Sequence, residues 1–202
     1  MTQTGIRSEQ IRAIGFSEQM HGLTALDSQG KPVMPAMIWQ DQRSEKEGKE
    51  ILELVRRKGL GRELMNRPVA GMMICSLLWV KRNRPRLYQD IAHVLLPKDY
   101  IRYRLGGGFD TDETDAGGSL AFSVKDRRWC GQLLEALDIR EDLFPAVRRP
   151  YDMVGKVTEE AAESLVKREE EPARPIEGHW EIYEEMRERF AGGYEAVRFL
   201  NP

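Results

Sequence analysis

The chain has 202 residues, 31 Lys and Arg against 33 Asp and Glu for a formal net charge of -2, and a hydrophobic fraction of 41%. That is room for one ordinary domain or two small ones with a core, which excludes wholesale disorder. The longest nearly apolar run, residues 69–80, is shorter than the roughly 18 residues of a spanning helix, and the N-terminus lacks the apolar core of a signal peptide. Cys75 and Cys130 make neither a disulfide framework nor a metal knuckle, so both read as reduced structural thiols of a cytoplasmic protein.

The charge is unevenly spread. Residues 1–150 hold 24 basic and 20 acidic side chains, whereas residues 151–202 hold 7 and 13. Such a shift marks a boundary, and Glu169-Glu170-Glu171-Pro172-Ala173-Arg174-Pro175 has the composition of a joint. The expected organisation is a domain over residues 1–166, a joint over 167–179 and an amphipathic helix over 180–202.

In chain order, residues 11–17 predict a short strand. Residues 23–26 and 33–38 predict two more, joined by the turn formers of Asp27-Ser28-Gln29-Gly30. Ser44-Glu45-Lys46-Glu47 has the spacing of a capping box, opening a helix that buries Ile51, Leu52 and Val55 and stops at Gly59 or Gly61. Residues 72–82 predict a second helix ended by Pro85, and Leu87 and Ile91 share a face of a third. Residues 94–96 suit a buried strand, and residues 100–105 a helix that Gly106-Gly107-Gly108 ends. Leu133, Leu134 and Leu137 mark another helix, Thr158 is placed to cap residues 159–166, and Trp180, Tyr183, Arg187, Phe190, Tyr194 and Val197 form one stripe of the last. Short strands mixed with helices give an α/β class.

The densest chemistry is Ser17-Glu18-Gln19-Met20-His21-Gly22, after the first predicted strand, where ligands of open α/β sheets bind. Gln19 and His21 are both able to hydrogen-bond polyol hydroxyls, although alone His21 reads more simply as capping a loop. In Trp39-Gln40-Asp41-Gln42-Arg43 an indole is able to lie on a sugar face while Asp and Arg grip hydroxyls; alone, a core Trp with solvated charges is the simpler reading. Thr111-Asp112-Glu113-Thr114-Asp115 lacks calcium-loop spacing and reads as carboxylates in a solvated turn. Gly106-Gly107-Gly108 is not followed by the Lys-Ser or Lys-Thr of a phosphate loop, and Asp115-Ala116-Gly117-Gly118-Ser119 follows acidic residues rather than a buried strand. Residues 81–104 carry seven Lys or Arg with Tyr88, Tyr100 and Tyr103 interleaved. That composition founds a nucleic-acid-binding alternative, but the whole-chain charge favours solvated helix faces, and no nucleic-acid or membrane partner is expected.

Taken in register, these segments resemble the xylulokinase branch of the FGGY carbohydrate kinases. The matching stretches are Ile14-Gly15-Phe16-Ser17-Glu18-Gln19-Met20-His21-Gly22, Pro35-Ala36-Met37-Ile38-Trp39-Gln40-Asp41-Gln42-Arg43, Leu77-Leu78-Trp79-Val80, Val94-Leu95-Leu96-Pro97-Lys98-Asp99-Tyr100-Ile101-Arg102 and Thr111-Asp112-Glu113-Thr114-Asp115-Ala116-Gly117. Several clusters in one order are far more specific than any alone. The resemblance implies a partial ribonuclease-H-like, actin-like ATPase domain with an appended C-terminal helix. It implies ATP-dependent phosphorylation of a pentulose such as D-xylulose, with ATP and Mg2+ as the family's cofactors. It places Met20 and His21 on the sugar, with Gln19, Trp39, Asp41 and Asp115 around the same pocket, and His21 on the face of Trp39.

The chain also departs from the family pattern. Glu18 stands where a small residue is usual, and Ser76 where a lysine precedes Leu-Leu-Trp. The family's Asp-x-Gly-Thr phosphate loop and its Gly-Gly-Gly-Asp general-base segment have no counterpart in this sequence. The expectation is a sugar-facing fragment, with no catalytic or metal-ligating residue of its own, that binds ATP and Mg2+ poorly and is inactive alone. The alternative is a non-catalytic interaction module that self-associates through an exposed sheet edge.

Overall fold

A computed structural model describes residues 10–17 and 19–166, with side chains through residue 162. The chain divides into two compact units, Met1–Ala161 and Ala162–Pro202. Of the second, only residues 162–166 fall within the description, so the expected joint and the stripe from Trp180 to Val197 lie outside it.

Strand β1 (Thr24–Leu26) is fully buried. The turn that follows closes as its sequence predicts: the Asp27 carboxylate accepts from the backbone N–H groups of Gln29 (2.8 Å) and Lys31 (2.9 Å), and Gly30 has a φ of 74°. The return arm is not the strand expected over residues 33–38. It touches β1 and its flank only through the isolated bridges Leu26↔Pro32 and Leu23↔Met37. Pro32 and Pro35 have no N–H to give a ladder, so the arm stays irregular. Residues 11–17 are a second correction. They have no regular structure and are mostly exposed, because a strand needs a partner for its backbone groups and no described strand pairs with them.

Helix α1 (Glu45–Lys58) buries Ile51, Leu54 and Val55, while Leu52 is half-buried. Gly59, at φ 70°, ends it as expected. The capping box does not form. Ser44 Oγ accepts instead from the N–H of Gly71 (3.3 Å). Glu47 folds inward, 3% exposed, with Oε1 3.7 Å from Arg82 and Oε2 without a hydrogen bond. A tertiary donor has outcompeted the local one.

After the single turn α2 (Gly61–Leu64), α3 (Met73–Asn83) runs through the core with every residue from Met73 to Leu78 buried. Cys75 is among them, its thiol pushed up to about 12 by burial and the nearby Glu47. Pro85 opens α4 (Pro85–Asp90), where its missing N–H costs nothing. Strand β2 (His93–Leu95) pairs antiparallel with β1, Thr24 opposite Leu95. Helix α5 (Pro97–Gly106) stops at Gly107, φ 87°. Strand β3 (Asp110–Asp112) then leads straight into α6 (Glu113–Gly118). Strands β4 (Phe122–Ser123) and β5 (Arg128–Trp129) form a short antiparallel pair, and α7 (Gly131–Ala136) carries the buried Leu133 and Leu134. Strand β6 (Ala146–Arg148) lies parallel to β3, and α8 (Glu159–Val166) starts at Thr158, whose hydroxyl accepts from the N–H of Ala161 (3.3 Å) as predicted. Among the described residues no helix is long and apolar enough to cross a membrane.

The two readings of Glu47 differ in outcome. A buried, half-satisfied carboxylate contributes little, since replacing such groups by apolar ones of similar volume is often neutral or stabilising. Glu47→Met is therefore expected to leave the urea midpoint unchanged or raised. A loss beyond about 1.5 kcal/mol would match a lost helix cap instead.

Candidate functional site

Three backbone approaches build the site. Leu23 and Met37 exchange both hydrogen bonds (2.8 and 3.0 Å), and beyond them the two arms separate. The N–H of Gly22 goes to the Gly71 carbonyl (3.1 Å), and a Cβ on Gly71 would lie 2.2 Å from the Trp39 carbonyl oxygen. Gly71 (φ 81°) is thus a wedge with the Met20–His21 loop on one side and Trp39 on the other. Gly22 (φ 88°) is hemmed less tightly, with the Met37 carbonyl 3.1 Å and the Pro97 ring 3.2 Å from where a Cβ would stand. That second contact brings the start of α5 against the loop.

His21 itself has a φ of 69°, a left-handed conformation uncommon outside glycine and kept only where the surroundings impose it. What imposes it is a hydrogen bond: Nδ1–H donates to the Gly118 carbonyl at 2.7 Å, across 97 residues. A carbonyl only accepts, so the proton belongs to Nδ1 and Nε2 remains for other partners. The ring is half-buried, Gln19 is exposed and Met20 is 56% exposed, while Trp39, across the Gly71 wedge, is 49% exposed. Large apolar side chains left this open beside a constrained His make a surface suited to a ligand.

The other two expected site residues are already engaged. Arg43 grips both oxygens of Asp41 (2.9 and 3.0 Å from Nε, 2.5 Å from Nη2) and lies 4.9 Å over the Trp79 ring. That grip holds the Asp41 carboxyl below its ordinary pKa. Asp115 is 2.8 Å from Lys98 Nζ and sits on α6, one turn before the Gly118 that binds His21.

The acidic stretch is not a solvated turn. Asp110 and Thr111 are buried, and Asp112 caps α6 by accepting from the N–H groups of Thr114 (2.9 Å) and Asp115 (3.2 Å). Lys98, with its side chain 10% exposed, reaches Asp112 (2.5 Å), Asp115 (2.8 Å) and the fully buried Asp99 (3.2 Å). Beside it Arg102 donates to the Asp110 carbonyl, and Arg148 Nε pairs with the Asp110 carboxylate at 2.8 Å. Lys98 and Arg102 of α5 are thus not part of a solvated face, whereas Arg82, Arg84, Arg86 and Arg104 of the same basic stretch are exposed as expected. Sequence reasoning missed the network because the compensating cations lie elsewhere in the chain. Asp112-x-x-Asp115 at a helix start was the one local signal for the cap. Burial raises the Asp99 carboxyl against the pull of Lys98 and Arg102. Burial also pushes Asp112 up, but the bonds from Lys98 and the Asp115 and Thr114 N–H groups outweigh it and leave Asp112 lowered. Lys98 is disfavoured by burial, yet its three carboxylates raise it overall.

The mixed α/β elements form part of a domain of the ribonuclease-H-like, actin-like ATPase type, the fold of the solved sugar kinases that superpose on this chain. Residues 1–169 match the N-terminal domain of the FGGY family of carbohydrate kinases, and the chain belongs to that family. It is 35% identical over 155 residues to the xylulose kinase of Staphylococcus xylosus, covering 77% of this chain and 32% of that one. To the xylulose kinase of Escherichia coli K12 it is 35% identical over 157 residues, with the same two shares. A xyloylose kinase from Brucella ovis superposes with a TM-score of 0.70 at 32% identity, over 77% of this chain and 32% of that one. Glycerol kinase of Plasmodium falciparum, 20% identical, shares the fold with a TM-score of 0.69 over 76% of this chain and 32% of its own. The chain spans about a third of the length of the curated relatives it matches.

Two outcomes follow from this geometry. Gly71→Ala must relieve a 2.2 Å clash with backbone and a φ of 81°; a loss of at least about 2 kcal/mol in urea unfolding is expected, and retained stability would refute the wedge. Because the folded pKa of Lys98 is raised, its stabilisation is complete below the unfolded value of about 10.4 and is lost as pH climbs through the folded one. Unfolding midpoints across that alkaline window should fall more steeply for the wild-type chain than for Lys98→Met.

Proposed function

We propose that the chain carries the sugar-facing part of a xylulokinase-type active site, serving ATP-dependent phosphorylation of a pentulose such as D-xylulose. The observation that carries this reading is His21, locked to Gly118 through Nδ1, with no partner for Nε2 among the described residues, and standing beside exposed Gln19 and Met20. Trp39 is offered from across the Gly71 wedge, exposed enough to cover the apolar face of a sugar. Relatives of about one-third identity named as xylulose kinases support the substrate class. In this reading Asp41 shapes the rim through Arg43, and Asp115 lies near the pocket with its charge already balanced.

The described residues do not suit the phosphate half of the reaction. No group of three His, Cys, Asp or Glu among them is arranged to hold a metal ion. The carboxylates that do converge, Asp99, Asp112 and Asp115, converge on the Lys98 ammonium, which repels a second cation. Nor do the glycines form a phosphate cradle: Gly106 and Gly107 end α5, while Gly117 and Gly118 are helical. Phosphoryl transfer depends on positioned phosphates and on a base near the attacking hydroxyl, itself worth roughly 10²–10⁴ in rate. Neither has a candidate among the described residues, so their own contribution is to hold and orient the sugar.

The expected behaviour is weak binding without turnover. Calorimetric titration with D-xylulose should give a Kd on the order of 1 mM, weakened at least about fivefold by His21→Ala, the loss of one hydrogen bond. No heat beyond dilution, or binding indifferent to His21, would sink the sugar site. A coupled ADP-release assay with D-xylulose, ATP and magnesium should read no more than its blank.

A further inference from the structure

Lys98 does not touch the loop that bears His21, yet a continuous set of bonds leads from one to the other. Its ammonium, almost out of water, holds Asp112 and Asp115 at the first turn of α6 (2.5 and 2.8 Å). Asp112 caps that turn through the N–H groups of Thr114 and Asp115. The helix is only six residues long, too short to stand by its own propensity, so ties at its ends decide where it lies. At the far end Ser119 closes back on it, N–H to the Asp115 carbonyl (3.1 Å) and Oγ to that of Ala116 (2.5 Å). This leaves the Gly118 carbonyl directed at His21 Nδ1 (2.7 Å). The ring packs directly on the last turn, since a Cβ on Gly118 would lie 3.2 Å from Nδ1.

We propose that Lys98 is a positioning residue for His21: by clamping the start of α6 it fixes the Gly118 carbonyl that keeps the imidazole proton on Nδ1, so that Nε2 meets the ligand as a hydrogen-bond acceptor. The proposal deepens the sugar-site reading and rests on it for the ligand class, a hydroxyl that donates to Nε2. A group that only accepts finds no proton there while the ring is neutral. A lysine buried merely for packing would have no effect on which nitrogen of a distant ring carries the proton.

The test is made on the full 202-residue chain, labelled with ¹⁵N and without ligand, above a pH of about 8, where an ordinary imidazole is neutral. Two-bond ¹⁵N–¹H spectra separate the two tautomers, and His21→Gln identifies the His21 signals against those of His93 and His179. The wild-type chain should show Nδ1–H in about tenfold excess, the ratio one net hydrogen bond sustains, and Lys98→Met should bring it near one. Lys98→Arg, which keeps charge and donors, should hold the excess. Should Lys98→Met fail to fold, Asp115→Asn cuts one tie while keeping the Lys98–Asp99 pair, and an intermediate ratio is expected. A folded Lys98→Met or Asp115→Asn chain with the wild-type ratio overturns the proposal, as does a folded Lys98→Arg chain that loses it or a wild-type proton on Nε2. Added D-xylulose is a separate arm: if no His21 signal moves, the sugar reading fails while the tautomer result is judged by itself.

Discussion

One ammonium group, Lys98 Nζ, sits among three carboxylates from three elements, and much of the site depends on it. Asp99 comes from its own helix, Asp112 from the end of β3 where it caps α6, and Asp115 from α6. Without the cation, three negative charges would share a volume largely closed to water, and unpairing a buried ion typically costs about 3–5 kcal/mol. The same atom therefore holds α5 to α6 and sets where α6 begins. From α6 two further ties lead outward: the Ser119 carbonyl accepts from Ile74 N–H in the core helix α3 (3.3 Å), and Gly118 accepts from His21. On the other side Asp110, held by Arg102 and Arg148, fastens β3 to β6. Among the described residues, whose strands form only two-stranded pairs, this charge cluster ties α5, β3, α6 and β6 together beside the apolar core.

The rim is shaped by absent side chains. Gly71 lets backbone segments approach more closely than any Cβ permits, Gly22 sits where a Cβ would be crowded at 3.1 Å, and Gly118 lets an imidazole lie on a helix turn. Met20 and Trp39 both stay exposed in this arrangement. A surface pre-set in this way spends less ordering entropy when a ligand arrives.

What was legible in the sequence was local. The inward face of α1, the stops at Gly59 and Gly107 and Thr158 as a cap all follow from residues within a turn or two of one another. The failures share the opposite property. Ser44 and Glu47 have capping-box spacing, but Gly71, 27 residues on, supplies the donor that Ser44 takes. The carboxylates of 110–115 read as solvated because Lys98, Arg102 and Arg148, which balance them, come from other elements. The strand expected at 11–17 had the right residues and no partner strand among the described residues. At the site, the order of several motifs pointed to Gln19, Met20, His21 and Trp39, yet nothing local revealed that His21 is held from 97 residues away.

The two cysteines have a consequence of another kind. Cys75 is wholly buried, its thiol displaced upward to about 12, and Cys130 is 1% exposed with its thiol also raised by burial. Alkylation needs the thiolate, and at neutral pH a thiol titrating near 12 is ionised to only about one part in 10⁵. Modification of Cys75 therefore waits for the core helix to come open, and its labelling rate clocks that opening directly. The folded chain thus carries a built-in chemical reporter of its least frequent excursions, readable by mass without any engineered probe.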